Sequence, residues 1–241
     1  MEIELYGFPT SPYTLKVVGY LGYKKLHYRF RGVSPINYRE INFTKLRRVP
    51  VLRIGSEWRE DSDHIGLWID EKFPETALLP GSAETNAPLL EINSWVNQSV
   101  IPTMFRLSVD WPSISTGLTN GWKLANAVHQ SSNIPLWCQL MWPILVRKAG
   151  FVSRIVQTLD RTTPLHSYQK LLIVEFAEKL GDGPFLGGRS QPSLPDVSLY
   201  PLVLFGPRLG IRHDIPWLED SLVRTWISQM DSYFTESPAL T

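Results

Sequence analysis

Four residues near the N-terminus, Ser11-Pro12-Tyr13-Thr14, have the spacing of a Cys-Pro-Tyr-Cys redox motif but carry hydroxyls in place of both thiols. The chain has one cysteine, Cys138, so disulfide exchange on the protein itself is not available. A serine hydroxyl at a helix N-terminus is instead able to donate a hydrogen bond to a sulfur anion, and the helix dipole favours negative charge there. The motif therefore predicts activation of a bound thiol as its nucleophilic thiolate.

Ser11 also fits a purely structural role. Serine at an N-cap followed by proline is a favoured helix start, because serine accepts an orphan N–H and proline has none to offer. From these residues alone both roles stay open.

Two further motifs are suited to recognising a peptide. Val49-Pro50 usually marks only the start of a strand, and the alternative is a cis peptide bond that leaves the Val49 backbone free to pair with an extended ligand. At the start of a predicted helix, Ser62 is suited to a carboxylate and Asp61 to an ammonium group. The alternative for this pair is helix capping.

A fourth motif, Ser193-Leu194-Pro195-Asp196, matches the S-x-x-D/E pattern of a capping box. We interpret Ser193 and Asp196 as structural residues that fix the start of a helix.

The elements that must position these residues fall into two halves. Residues 1–74 alternate strand and helix signals in the order βαβαββα, which predicts a small α/β domain in which a polar, weakly helical segment over 35–46 is the second helix. Residues 75–86 are rich in Pro, Gly, Ser and Thr and are predicted to be a linker. Residues 87–241 predict an all-helical domain.

The most apolar stretch is Ile134 to Val146. It is shorter than the roughly 20 residues that a membrane-spanning helix needs, so no membrane span is predicted. A buried helix is the favoured interpretation, and an interfacial membrane segment is the alternative.

The composition excludes several classes of function. The net charge of +1 predicts no overall attraction to nucleic acid or acidic membranes, and the five histidines show no metal-ligand spacing, so no metal is expected. The single cysteine and the absence of a visible export signal predict a cytoplasmic protein.

Together the motifs resemble the cytosolic glutathione transferase superfamily, which has a thioredoxin-like N-terminal domain and an all-helical C-terminal domain. "IELYGFPTSPYTLKV" looks like the family's first strand and helix, and "RRVPVLRIG" looks like its cis-proline turn. "EDSDHIGLWIDEKFPE" and "PFLGGRSQPSLPDVSLYP" are similar to two of its helix signatures. The missing cysteine points to a serine-type branch, or to a glutaredoxin-like branch that has lost its redox Cys.

The resemblance implies a role for each motif. Ser11 falls where serine-type members bond the sulfur of glutathione, with Tyr6 as the second choice for the catalytic residue. The other implied glutathione contacts are Val49, Pro50, Asp61 and Ser62, and Arg48 is added on the argument of charge alone. Candidate walls for the second substrate are Tyr13, Met104, Phe105 and Trp111.

The resulting hypothesis is a glutathione S-transferase that uses glutathione as co-substrate and adds its thiolate to a small apolar electrophile. The resemblance further implies detoxification chemistry and a homodimer. Compared with the family pattern, the helical domain has an extended or inserted segment near 112–160. The alternative is a non-catalytic binding or scaffold protein of the same fold.

Overall fold

Alternating apolar residues in the first sixty positions form a four-stranded mixed sheet. In the computed structural model, which describes residues 2–160, 162–211 and 216–234, the strands are β1 (Ile3–Gly7), β2 (Arg29–Gly32), β3 (Val51–Ile54) and β4 (Glu57–Glu60). Their order is β2-β1-β3-β4, with β1 parallel to β2 and antiparallel to β3. Leu5 pairs with Leu52 across β1 and β3, and both side chains are fully buried.

Two helices complete this domain, α1 (Pro12–Tyr23) and α2 (Ser62–Lys72). The prediction of a helix over 35–46 is wrong, because the segment contains only a single 3-10 turn, Arg39–Ile41. Tyr38 has a left-handed backbone with φ of 54°, which interrupts a right-handed helix.

The second domain is helical, and the element order confirms the predicted fold class of an α/β domain followed by an all-α domain. Its elements are α3 (Ala83–Trp95), a π turn (Val96–Val100), α4 (Ile101–Val109), α5 (Ile114–Ser132), α6 (Leu136–Lys148), α7 (Gly150–Val156), α8 (Leu165–Leu180), α9 (Leu194–Arg208), α10 (Pro216–Glu219) and α11 (Ser221–Phe234). The segment over 112–160 therefore folds mainly into α5, α6 and α7.

Helix α3 begins within the predicted linker of residues 75–86. Ser82 is its N-cap, and the Ser82 hydroxyl accepts a hydrogen bond of 3.4 Å from the backbone N–H of Thr85. The polar composition that suggested a linker is thus partly the composition of a helix start.

Helix α6 departs from the expectation of a buried helix over 134–146. Leu136, Leu140 and Ile144 are 69%, 60% and 40% exposed, whereas Cys138 and Pro143 are buried. One side of an apolar helix therefore faces outward. None of the helices in the described ranges is both long and apolar enough to cross a bilayer.

The two domains meet where α1 packs against α9. A Cβ atom added to Gly19 would lie 2.4 Å from the carbonyl oxygen of Val197, so only glycine permits this approach. Next to it, the hydroxyls of Tyr20 and Ser198 are hydrogen-bonded at 2.9 Å within the buried contact.

A buried ion pair lies beside this contact. The fully buried Lys16 ammonium contacts Asp63 at 2.5 Å and Asn97 at 2.7 Å. Asn93 and Asn97 also donate hydrogen bonds to Asp63. Burial alone would raise the pKa of Asp63, but the Lys16 charge and these hydrogen bonds hold it below its usual value. The network joins α1, α2, α3 and the π turn.

We predict that the two partners of this pair differ in their effect on stability. Asp63→Asn leaves a buried ammonium without a carboxylate and should lower the free energy of unfolding by about 3–5 kcal/mol. Lys16→Met should cost clearly less, because the Asp63 side chain is 39% exposed and keeps its asparagine partners. Urea titration of both variants and of the double variant measures this. Strictly additive losses, or a larger loss for Lys16→Met, would contradict the account.

Candidate functional site

A cavity of about 1470 Å³ lies between the two domains. The sequence-predicted residues that line it are Ser11, Tyr13, Arg48, Val49, Pro50, Asp61, Ser62, Met104, Phe105 and Trp111. The folded chain therefore brings together at one cavity residues that are up to a hundred positions apart. Tyr6, the second choice for the catalytic residue, does not line it.

Ser11 is the N-cap of α1 and lines the cavity. Its backbone is extended, and its hydroxyl oxygen accepts a long hydrogen bond of 3.4 Å from the backbone N–H of Thr14. Because a hydroxyl both accepts and donates, its hydrogen is still available to an acceptor in the cavity. The structural and the chemical role of Ser11 are therefore compatible.

Thr14, the second hydroxyl of the motif, does not face the cavity. It is fully buried, and its Oγ1 has no hydrogen-bond partner among the residues that the structure describes. A Cβ atom on Gly7 would come within 2.5 Å of Thr14, so this side chain packs against the end of β1. Of the two hydroxyls that replace the thiols, that of Ser11 lines the cavity and that of Thr14 does not.

The Val49–Pro50 peptide bond is cis, as the family resemblance implies. No hydrogen bond within the described ranges uses the backbone N–H or carbonyl of Val49. These two groups are therefore free for an extended peptide. Arg47 and Arg48 line the same part of the cavity and make it basic.

Asp61 and Ser62 lie where α2 begins. Asp61 caps this helix, and its Oδ1 accepts the backbone N–H groups of Asp63 at 2.9 Å and His64 at 3.3 Å. No hydrogen bond among the residues that the structure describes uses the second carboxylate oxygen of Asp61, which is therefore available to a ligand. The Asp61 backbone has φ of 71°, an unfavourable conformation for a residue with a side chain and one that clusters at functional sites.

Glu60 adds a second carboxylate at this end. It lines the cavity beside Asp61, and its Oε1 is buried without a hydrogen-bond partner in the described part of the chain. A buried carboxylate oxygen of this kind is suited to a cationic ligand group.

Tyr6 does not line the cavity. Its hydroxyl donates to Glu4 at 2.9 Å, and its ring packs edge-on against Phe43 at 5.4 Å. Burial and the hydrogen bond to Glu4 raise the pKa of Tyr6, which opposes formation of a phenolate.

The remaining wall of the cavity is largely apolar. Tyr13 contributes from α1, Met104 and Phe105 contribute from α4, and Trp111 follows α4. Burial and the nearby acids raise the pKa of Tyr13, so this phenol stays protonated. Trp137, Trp142 and other apolar residues of α6 extend the same wall.

Comparisons with known proteins agree with this geometry. Residues 5–77 match the family model described as "Glutathione S-transferase, N-terminal domain". The N-terminal domain belongs to the glutathione S-transferase family. No curated protein matches the chain in sequence.

Solved structures extend the likeness to the whole glutathione transferase fold. The beta-etherase LigF of Sphingobium sp. strain SYK-6 is 18% identical, with TM-score 0.62 and coverage of 100% of this chain and 97% of that one. Human glutathione transferase theta-2, in complex with glutathione and an unknown ligand, is 16% identical, with TM-score 0.62 and coverage of 96% and 82%. FzlA from C. crescentus is 19% identical, with TM-score 0.59 and coverage of 100% and 90%. At these identities the likeness concerns the fold alone.

Several cavity residues of this glutathione transferase fold were not identified from sequence. They are Phe8, Tyr38, Arg47, Trp58, Arg59, Glu60 and His64. Arg47 and Glu60 are direct neighbours of predicted residues, so extending each motif by one position would have found them. The aromatic residues carry no local signal that separates a cavity wall from a packed core.

Ser193 and Asp196 lie outside the cavity and form a capping box at α9. Asp196 is fully buried and accepts hydrogen bonds from the Leu186 backbone N–H and the Trp226 indole, each at 2.9 Å. The box therefore ties α9, which packs on α1, to the rest of the helical domain.

We predict that the position of the Trp111 ring in the cavity wall depends on the absence of a side chain at Gly117. A Cβ atom there would lie 1.9 Å from the Trp111 ring, which is held by a 2.7 Å hydrogen bond to the Ser108 carbonyl and by Arg147 stacked 4.6 Å from it. Gly117→Ala should therefore displace the ring, change the tryptophan fluorescence and lower stability by about 1–3 kcal/mol.

Gly150→Ala is the matched control, because nothing lies within 4 Å of a Cβ atom at that position. It should be neutral or stabilising by up to about 1 kcal/mol. Equal effects of the two substitutions would show that the Trp111 contact is not a constraint.

Proposed function

We propose that this protein binds glutathione in the cavity and adds its thiolate sulfur to an apolar electrophile. A carbon–sulfur bond forms, the thiol proton passes to solvent, and the electrophile takes up the charge or releases its leaving group. The observation that carries the proposal is the position of Ser11. It caps α1 at the cavity wall with a hydroxyl hydrogen available to a sulfur anion.

The tripeptide is placed by complementary groups along the first domain. The Val49 backbone pairs with the cysteinyl part, and the α2 N-terminus with Ser62 takes the γ-glutamyl carboxylate. Asp61, with Glu60 beside it, takes the ammonium group, and Arg48 takes the glycine carboxylate. Human glutathione transferase theta-2, which shares the fold, was solved in complex with glutathione, and this supports glutathione as the ligand.

The sulfur is activated by hydrogen bonding and by the helix dipole. Lowering the thiol pKa by two units favours the thiolate by about 2.7 kcal/mol. The apolar wall of Tyr13, Met104, Phe105 and Trp111 holds the second substrate over the sulfur, which adds the benefit of proximity. A homodimer remains a prediction from the family resemblance, and a cytoplasmic location remains a prediction from the single cysteine and the lack of a visible export signal.

The hydroxyl at position 11 is expected to stabilise the thiolate of bound glutathione. Ser11→Ala should raise the pKa of bound glutathione by about two units, measured from thiolate absorbance in the ultraviolet, and lower conjugation about 100-fold at neutral pH. Binding measured by calorimetry should persist. Tyr6→Phe is the control and should conjugate normally, because Tyr6 bonds Glu4 outside the cavity.

Three outcomes separate the alternatives. Full activity of Ser11→Ala with an inactive Tyr6→Phe would show that the serine assignment is wrong. Binding of glutathione without conjugation of any electrophile tried would favour the non-catalytic binder. No calorimetric heat with millimolar glutathione would remove the proposal altogether.

Asp61 and Glu60 are expected to hold the ammonium group of glutathione through their negative charge. Asp61→Asn keeps the helix cap, because an amide oxygen also accepts N–H groups, but it removes the charge. We expect about tenfold weaker binding of glutathione, and the same for Glu60→Gln. Neither variant should weaken binding of a glutathione analogue that lacks the amino group. Glu71→Gln, an exposed carboxylate of α2 outside the cavity lining, is the control. Equal losses with the analogue would mean that these carboxylates act through folding.

A further inference from the structure

Helix α6 has apolar residues on two sides, and within residues 2–160, 162–211 and 216–234 only one of these sides is covered. On the inner side, Cys138, Trp142 and Pro143 pack toward α5 and the cavity; a Cβ atom on Gly121 of α5 would lie 2.5 Å from Pro143. The outer face consists of Leu136, Leu140, Met141 and Ile144, all of them exposed and none of them lining the cavity. A helix that is apolar all round normally has a partner on each side.

The outer face is extended by tryptophan. Trp122 of α5 is exposed, and its indole N–H donates to the Leu140 carbonyl at 3.1 Å, so its ring lies against α6. Trp137 is also exposed and lines the cavity, so the outer face borders the cavity edge. Contiguous apolar patches of this kind are rare on soluble proteins and mark interaction sites. Tryptophan is enriched where one surface meets both lipid and water.

The segment that contains this face carries charge of one sign, with the aspartates Asp110 and Asp160 standing just outside it in sequence. Residues 111–159 contain four basic residues, Lys123, Arg147, Lys148 and Arg154, and no acidic residue. The other positions hold 20 of the 24 basic and all 23 acidic residues, so the net charge of +1 hides a strong local asymmetry. Arg147, Lys148 and Arg154 are exposed at the C-terminal end of α6 and on α7; Arg147 also stacks on Trp111, and Arg154 also lines the cavity.

We propose that the outer face of α6 docks on an anionic lipid surface. Apolar side chains flanked by tryptophan and by cations without any acid are the features of a helix that lies in the membrane interface. A second copy of the chain fits less well, because a two-fold contact would place the cations of both copies together with no carboxylate to pair them. Docking by this face does not depend on the proposed chemistry.

The test is co-sedimentation of the full chain with lipid vesicles in the absence of glutathione. We expect binding to vesicles of 70% phosphatidylcholine and 30% phosphatidylserine, and at least tenfold weaker binding to pure phosphatidylcholine. Leu140→Glu should weaken binding to the anionic vesicles at least tenfold. The matched control is Val174→Glu on α8, which introduces the same charge at a side chain that is 54% exposed and should bind as the wild type does.

A second pair of variants tests the charge. Lys148→Gln should weaken binding to the anionic vesicles about fivefold, because each basic residue near such a surface contributes about that factor. Lys170→Gln on α8 removes an equally exposed charge and should have no effect. Circular dichroism checks that each variant is folded.

Other results would overturn the proposal. Equal binding of Leu140→Glu and Val174→Glu would show that α6 is not the contact. Absence of vesicle binding, with a dimer in sedimentation velocity that Leu140→Glu dissociates, would assign the face to a second copy instead. A monomer that binds neither vesicle would leave the lipid proposal without support.

Discussion

The architecture of the site depends on the buried pairing of Lys16 with Asp63. A fully buried ammonium is stable only with a carboxylate and further polar partners close by, and Asn97 supplies one of these from the second domain. The pair therefore fixes α1 relative to α2, and Asn93 and Asn97 fix both helices relative to the helical domain. Ser11 and Ser62 lie at the N-termini of the two helices that this network holds.

This arrangement explains how two helix N-termini line one cavity. Each N-terminus carries a partial positive charge, so α1 favours a thiolate and α2 favours a carboxylate. The distance between the two sites is set by the network and not by either motif alone. A peptide with a thiol in its centre and a carboxylate at its end matches such a pair of sites, with the Val49 backbone lying on the same cavity wall.

Local chemistry explains which features could be predicted from sequence. The cap at Ser11, the cis bond before Pro50 and the cap at Asp61 each follow from a few adjacent residues. The prediction of a helix over 35–46 is wrong because Tyr38 has a left-handed backbone, which composition does not show. The position of Tyr6 follows from the side of the sheet to which β1 directs it, and that requires the packed structure.

The network itself has no sequence signature. Lysine is almost never fully buried without a partner, and the partners of Lys16 lie 47 and 81 positions away. From its local sequence, Lys16 is therefore expected to be an exposed lysine on a helix. Its burial becomes clear only once α3 and the π turn are placed against α1.

Helix α6 poses the opposite problem, because its apolar composition was evident but its surroundings were not. Lining a cavity needs only one apolar side, here that of Cys138 and Trp142. Leu136, Leu140 and Ile144 recur at four-residue spacing on another side, so the cavity does not account for them. Polar residues at those three exposed positions would leave the cavity wall unchanged. The outer apolar face therefore needs a partner of its own, and the absence of acidic residues from 111–159 favours an anionic surface as that partner.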